Sequence, residues 1–281
     1  MGLSLAYQTW GDGPLDLVLL HGFTGNRTEW DYLRPALGAS VRAIAVDLPG
    51  HGESQLPKAC GEQGFLETLD ALRTLLDDLH VARADLAGYS QGARIGLAFA
   101  VRSGNRVRKL VLEGGSPGLN GQRQRLARQR EDAALGEQIL ARGVEAFVRE
   151  WKERPLLAGL RRLPAESLRQ LEARRLSCAA DGLAGALLCL GLGAQPNDWP
   201  RLPRMRAPTL LITGARDRKF TRIARQMAAQ LPLAWVRVLD GSGHAPHLEV
   251  PDAYARELLT FLETPWFEAQ WLQKSSVESR T

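Results

Sequence analysis

The chain has 281 residues, 44% of them hydrophobic and 24% charged, which is enough for one large domain with a sizeable core. Thirty-six Lys and Arg against 31 Asp and Glu leave a formal charge of +5, but the excess sits in amphipathic stretches such as residues 122–130, which argues against nucleic acid as a partner. Three scattered cysteines, Cys60, Cys178 and Cys189, exclude a disulfide framework and read as inert thiols; with no apolar leader and no apolar run of membrane length, a cytoplasmic protein without membrane insertion is expected.

Strand-like runs at 3–10 and 15–20 flank the turn Gly11-Asp12-Gly13-Pro14. The second run leads into His21-Gly22-Phe23-Thr24-Gly25, a loop type that aims a backbone N–H, here that of Phe23, at a developing oxyanion. A helix over 29–37 and a strand over 42–46 follow. The Pro/Gly-dense loop Asp47-Leu48-Pro49-Gly50-His51-Gly52-Glu53-Ser54 comes next, and we read its Asp47 and His51 as structural. Leucines at helical spacing predict an amphipathic helix over 66–79.

A strand over 84–89 then enters a helix over 91–102 through Gly88-Tyr89-Ser90-Gln91-Gly92, the G-x-S-x-G pattern of a nucleophile elbow. The glycines leave room for a sharp turn that exposes the Ser90 hydroxyl, and the Gln91 N–H is the natural second oxyanion donor. After a strand over 109–113 the alternation stops at Gly114. Helical segments over 122–141, 144–154, 165–180 and 182–190, punctuated by prolines, read as a helical lid of residues 116–207 inserted into a core formed by 1–115 and 208–265. The strand pattern resumes at 209–213, with a helix over 221–231, a strand over 235–239, a helix over 252–262 and a polar tail within 266–281.

Asp217 lies in the loop after the first resumed strand and His244 in the loop after the second. Serine, acid and histidine thus follow one another past strand ends that share one crevice in a parallel sheet. A serine hydroxyl is a poor base or nucleophile until an imidazole takes its proton, and the imidazole needs a carboxylate to fix its tautomer. The expected architecture is therefore an α/β-hydrolase fold, mostly parallel, with helices on both faces and an inserted helical lid. Arg94, four residues after Ser90, lies one helical turn further along the same face, where a guanidinium should meet a carboxylate of the protein or of a substrate.

Several motifs resemble the 2-succinyl-6-hydroxy-2,4-cyclohexadiene-1-carboxylate synthases of menaquinone and phylloquinone biosynthesis. They are Leu20-His21-Gly22-Phe23-Thr24-Gly25, Gly88-Tyr89-Ser90-Gln91-Gly92-Ala93-Arg94, Glu113-Gly114-Gly115-Ser116-Pro117-Gly118-Leu119, Gly193-Ala194-Gln195-Pro196 and Gly243-His244-Ala245-Pro246-His247-Leu248-Glu249. The resemblance implies a lyase that uses Ser90, with His244 and Asp217, as a general base to eliminate pyruvate from a tricarboxylate. Phe23 and Gln91 would donate backbone N–H groups to the enolate oxygen. It implies substrate contacts for Tyr89 and Arg94, and in the lid for Arg128, Trp151 and Arg175, with Arg174 a rival for the last. Two departures from the family pattern are Ser177-Cys178-Ala179, where asparagines are more common, and Gly191-Leu192-Gly193 in place of G-T-G. With no Gly-rich phosphate loop and no ligand cluster in the sequence, no metal or other cofactor is expected, and the chain is expected to be a monomer. Two other readings stay open: a serine hydrolase of esters or C–C bonds, and a non-catalytic ligand-binding relative.

Overall fold

The computed structural model describes residues 2–265, so the tail expected over 266–281 lies outside the described residues. One sheet of seven strands has the order β1-β3-β2-β4-β5-β6-β7. The strands are β1 (Tyr7–Trp10), β2 (Leu15–Leu20), β3 (Val41–Val46), β4 (Ala84–Tyr89), β5 (Val107–Glu113), β6 (Thr209–Gly214) and β7 (Ala234–Leu239). Only β1 runs antiparallel to its neighbour, β3; every other pair is parallel.

The helices in chain order are α1 (Arg34–Leu37), α2 (Gly61–Asp78), α3 (Gln91–Arg102), α4 (Gln122–Trp151), α5 (Ala165–Leu176), α6 (Ala180–Leu190), α7 (Arg218–Ala228), α8 (Pro246–Glu249) and α9 (Pro251–Glu263). They cover both faces of the sheet, which is why β4 and β6 are buried along their whole length. Alternate side chains of β2 feed two separate cores. Val18 and Leu20 pack with residues of α2, α3 and α7, whereas Leu17 and Leu19 pack with residues of α1 and α9. Each of these fully buried leucines contributes about 2–3 kcal/mol of burial free energy.

Between β5 and β6 the chain forms only helices. α4 is broken at Gly143, whose φ of 79° and ψ of 168° are non-helical, so the gap expected between 141 and 144 falls at a left-handed glycine. Gly136 of α4 sits against Ala184 of α6, letting the two backbones approach. Among the described residues no helix is long and apolar enough to cross a membrane.

Of the element boundaries that differ from the sequence expectation, three have a local cause. Pairing of β1 begins only at Tyr7, opposite Val46; before it only the Ala6 carbonyl is held, accepting from the Asp47 N–H at 2.9 Å. Residues Arg27–Leu33 form a 3₁₀ helix capped by Asn26, whose side chain accepts from the Thr28 N–H, and the α-helical part is confined to α1. α7 starts at Arg218 rather than 221 because Asp217 caps it, accepting the Phe220 N–H at 3.0 Å. Cys178 and Cys189 are buried, and burial pushes their thiols up to about 11 and about 12; Cys60 is exposed.

Candidate active site

Ser90 stands between β4 and α3 with φ 49° and ψ −100°, a strained conformation for a non-glycine residue. Two close approaches make the turn possible. A Cβ on Gly92 would lie 2.1 Å from the Leu20 carbonyl oxygen, and one on Gly88 would lie 2.6 Å from the Gly92 backbone. The Ser90 N–H donates to the Glu113 carbonyl at 2.7 Å, and the Gly92 N–H to that of His21 at 3.0 Å, so neighbouring strand ends clamp the elbow.

Ser90, His244 and Asp217 form one hydrogen-bonded chain. His244 Nδ1 lies 2.7 Å from Asp217 Oδ2, and its Nε2 lies 3.2 Å from Ser90 Oγ. In the tautomer these contacts favour, Nδ1–H donates to the carboxylate and Nε2 accepts from the hydroxyl. The Phe220 ring packs on His244 at 4.6 Å. Opposite it, Gly114 has φ 61°, and a Cβ there would come within 2.7 Å of His244 Cε1. The second residue of the Glu113-Gly114-Gly115 run therefore keeps space for the imidazole.

The loop after β2 is held almost atom by atom. The Gly22 N–H donates to Glu29 Oε1, the Thr24 N–H to His51 Nε2 and the Gly25 N–H to the Gly22 carbonyl. His21 Nδ1–H donates to the Gly22 carbonyl while its Nε2 accepts from the Leu48 N–H. Burial pushes the His21 and His51 pKa values down, His51 to about 3, which keeps both rings neutral and able to accept. Within Gly22–Gly25 this leaves the Phe23 N–H, and at the elbow the Gln91 N–H, without a hydrogen bond among the described residues. Asp47 is equally occupied, accepting from the Arg27 backbone and guanidinium and from the Glu53 N–H.

These groups border a cavity of about 420 Å³ lined by Phe23, Tyr89, Ser90, Gln91 and His244 on the sheet side and by residues of the helical segment above. Five cationic side chains line it, Arg94, Arg128, Arg154, Arg175 and Lys219, beside three carboxylates, Glu29, Glu131 and Asp132. Among the described residues Arg94 has no carboxylate at salt-bridge distance. One of its nitrogens donates to the Leu190 carbonyl at 2.9 Å and to Gln195 Oε1 at 3.4 Å, and Gln195 is itself fixed by donating to the Ser116 carbonyl. Burial, and then the charge of Arg128, brings the Arg94 pKa down to about 10, so the group stays cationic at neutral pH in a place that favours an anion.

Arg128 pairs with Asp132 at 2.8 Å, four residues along the same helix, and among the described residues is the one cavity arginine with a carboxylate at hydrogen-bond distance. Arg175 is buried and lines the cavity, and burial lowers its pKa. Arg174 faces Glu29, with Nε 3.9 Å from Oε2; neither arginine's Nε has a hydrogen-bond partner among the described residues. Trp151 lies in an aromatic group with Phe23 and Phe147, at 5.4 and 5.2 Å. Sequence reasoning missed Arg154, whose guanidinium stacks 4.4 Å over the Trp151 ring, and Lys219, two residues after Asp217. The i, i+3 spacing of Trp151 and Arg154 was the only available hint of the first.

The model of the alpha/beta hydrolase family matches residues 17–257. A 2-succinyl-6-hydroxy-2,4-cyclohexadiene-1-carboxylate synthase from Klebsiella pneumoniae is 34% identical over 253 residues, 90% of this chain and 96% of its own length. The structure of MenH from S. aureus superposes with a TM-score of 0.86 at 32% identity, covering 92% of this chain and 97% of that one. A thermophilic esterase from Thermogutta terrifontis reaches 0.80 at 26% identity, with 92% and 93% covered. The chain belongs to the α/β hydrolase family, and within it to the 2-succinyl-6-hydroxy-2,4-cyclohexadiene-1-carboxylate synthases.

Proposed function

We propose that the protein is a carbon–oxygen lyase that eliminates pyruvate from 2-succinyl-5-enolpyruvyl-6-hydroxy-3-cyclohexene-1-carboxylate, giving 2-succinyl-6-hydroxy-2,4-cyclohexadiene-1-carboxylate. The observation that carries this reading is the cavity wall: a serine–histidine–aspartate chain opens into a space where Arg94, Arg154, Arg175 and Lys219 have no carboxylate at salt-bridge distance among the described residues. A substrate with three carboxylates supplies what those cations lack, and guanidinium pairs orient as well as bind. The likeness to the named synthases supports the same substrate.

In this reading Ser90 is the base. As its oxygen takes the ring proton, its own proton passes to His244, whose charged form Asp217 stabilises. The electron pair moves into the succinyl ketone, where the Phe23 and Gln91 N–H groups meet the enolate oxygen. Collapse of the enolate breaks the ring carbon–oxygen bond and expels enolpyruvate, which His244 protonates on its way to pyruvate. No acyl-enzyme forms. The helical segment 116–207 serves as the cap that brings Arg128, Trp151 and Arg175 over the ring, and Tyr89 packs beside the serine. The protein acts as a cytoplasmic monomer that needs no metal or other cofactor.

The esterase reading uses the same Ser90 covalently, and two measurements on one preparation separate them. The expected results are a kcat/KM for the tricarboxylate at least about a hundredfold above that for a nitrophenyl ester, and an unchanged intact protein mass when turnover is quenched. A faster ester reaction with a mass adduct on Ser90 would overturn the lyase reading.

A further inference from the structure

Beneath the cavity, whose lining includes Glu29, lies a buried row of charges that the elimination itself does not use. His247, at the start of α8, is fully buried, and Glu113 Oε1 accepts from both its backbone N–H, at 3.2 Å, and its ring Nδ1–H, at 2.9 Å. Its other ring nitrogen, Nε2, lies 3.5 Å from Glu29 Oε1, an ion-pair distance, and has no hydrogen-bond partner among the described residues. Glu29 Oε1 accepts the Gly22 N–H at 3.3 Å, and Glu29 Oε2 faces Arg174.

Each end of this row is tied to one of the two free N–H donors. The Glu113 carbonyl holds the Ser90 N–H, one residue before the Gln91 donor, and Glu29 holds the Gly22 N–H, one residue before the Phe23 donor. The Tyr89 ring lies 4.5 Å from that of His247, so the strut also backs the elbow. We propose that His247 is a positioning residue: an imidazolium braced between Glu113 and Glu29 that fixes the Phe23 N–H relative to the Gln91 N–H.

The charges around His247 support this. Two carboxylates, Glu113 and Glu29, face one imidazolium and the Arg174 guanidinium, a balanced set, and the other groups packed against the ring are the neutral Trp30, Tyr32, Tyr89 and Tyr254. Burial works against the charged ring, but Glu113 and then Glu29 outweigh it and raise the His247 pKa to about 9. A single carboxylate would favour the charged ring less. The two-sided arrangement makes it the stable form at neutral pH.

The proposal rests on reading Ser90 and the two N–H groups as the reacting centre, and the test separates the two ideas. Nitrogen-15 NMR of histidine-labelled parent protein should show both His247 nitrogens protonated up to about pH 8. His247→Gln and Glu29→Gln should each lower kcat roughly 10- to 100-fold while KM stays within about twofold, because the arginines still bind substrate but the oxyanion donors lose register. The double variant should lose little more than either single one, since each breaks the same strut. If His247→Gln does not fold, Glu29→Gln alone carries the kinetic test.

A neutral His247 ring at pH 7, or a folded variant that keeps the parent kcat, would overturn the proposal. A parent that hydrolyses nitrophenyl ester but releases no pyruvate defeats the lyase reading only, and the strut is then judged by the ester kcat. A parent with neither activity leaves the decision to the NMR result.

Discussion

The floor and the wall of the cavity are built on opposite electrical plans. On the floor, charge is met within the protein: Asp217 serves both His244 and the α7 cap, Glu29 and Glu113 flank His247, and His21 and His51 are spent on backbone groups. The wall carries an excess of cations, five against the carboxylates of Glu29, Glu131 and Asp132, and among the described residues only Arg128 of the five has a carboxylate at hydrogen-bond distance. A self-sufficient floor holds its geometry with or without a ligand, which is what preorganised chemistry requires, whereas an unneutralised wall gains most when an anion arrives. Changes to the floor should therefore fall on kcat, and changes to the wall on binding as well.

The largest effect expected on the floor is that of Asp217→Asn, which leaves a side chain able to hold the wrong histidine tautomer. Steady-state pyruvate release should show kcat lowered about 10³- to 10⁴-fold. Gly114→Ala should lower kcat roughly tenfold or more with KM little changed, because the added methyl meets His244 at 2.7 Å and the backbone is left-handed there. A large KM effect from either would break the division between floor and wall.

On the wall, Arg175→Gln should reduce kcat/KM about 10- to 100-fold, most of it through KM, while Arg174→Gln stays within about threefold. These neighbours are about 100° apart around the helix, so the pair tests which of them meets substrate. Equal effects would sink the assignment of Arg175.

The smallest effect concerns stability. The His247 pKa is about 9 in the fold against an ordinary 6.5, so its contribution is fully present below about pH 6.5 and is lost as pH rises through 9. Glu29 is the mirror case. Burial opposes its ionisation, but the nearby His247 ring and then Arg174 bring it down to about 2 from 4.5, so its contribution holds above about pH 4.5 and is lost as pH falls through 2. Urea midpoints of the parent should fall between pH 6.5 and 9 by the equivalent of on the order of 3 kcal/mol, and those of a folded His247→Gln should not.

Sequence carried the local parts of this account and missed the long-range ones. The elbow was legible because its glycines, strand and helix are contiguous, and the serine, aspartate and histidine because each follows a strand end. The match of Arg128 to Asp132 was readable as an i, i+4 pair, yet the sequence does not say which way that pair faces. The strut joins residues 29, 113 and 247, which no spacing rule connects. The missing first strand residues have a similar cause: residues 3–6 have strand-like composition, but β3 ends opposite Tyr7, and beyond it a single bond, from the Asp47 N–H to the Ala6 carbonyl, does not extend the ladder.

Pyruvate release from the tricarboxylate, followed with equal amounts of the parent, Ser90→Ala and Arg94→Ala proteins, tests the central claim most directly. The account predicts rapid release by the parent, at least a roughly thousandfold loss of kcat in Ser90→Ala, and about a hundredfold loss of kcat/KM in Arg94→Ala with both kcat and KM affected. Parent-like release by Ser90→Ala, or unchanged kinetics in Arg94→Ala, would contradict it.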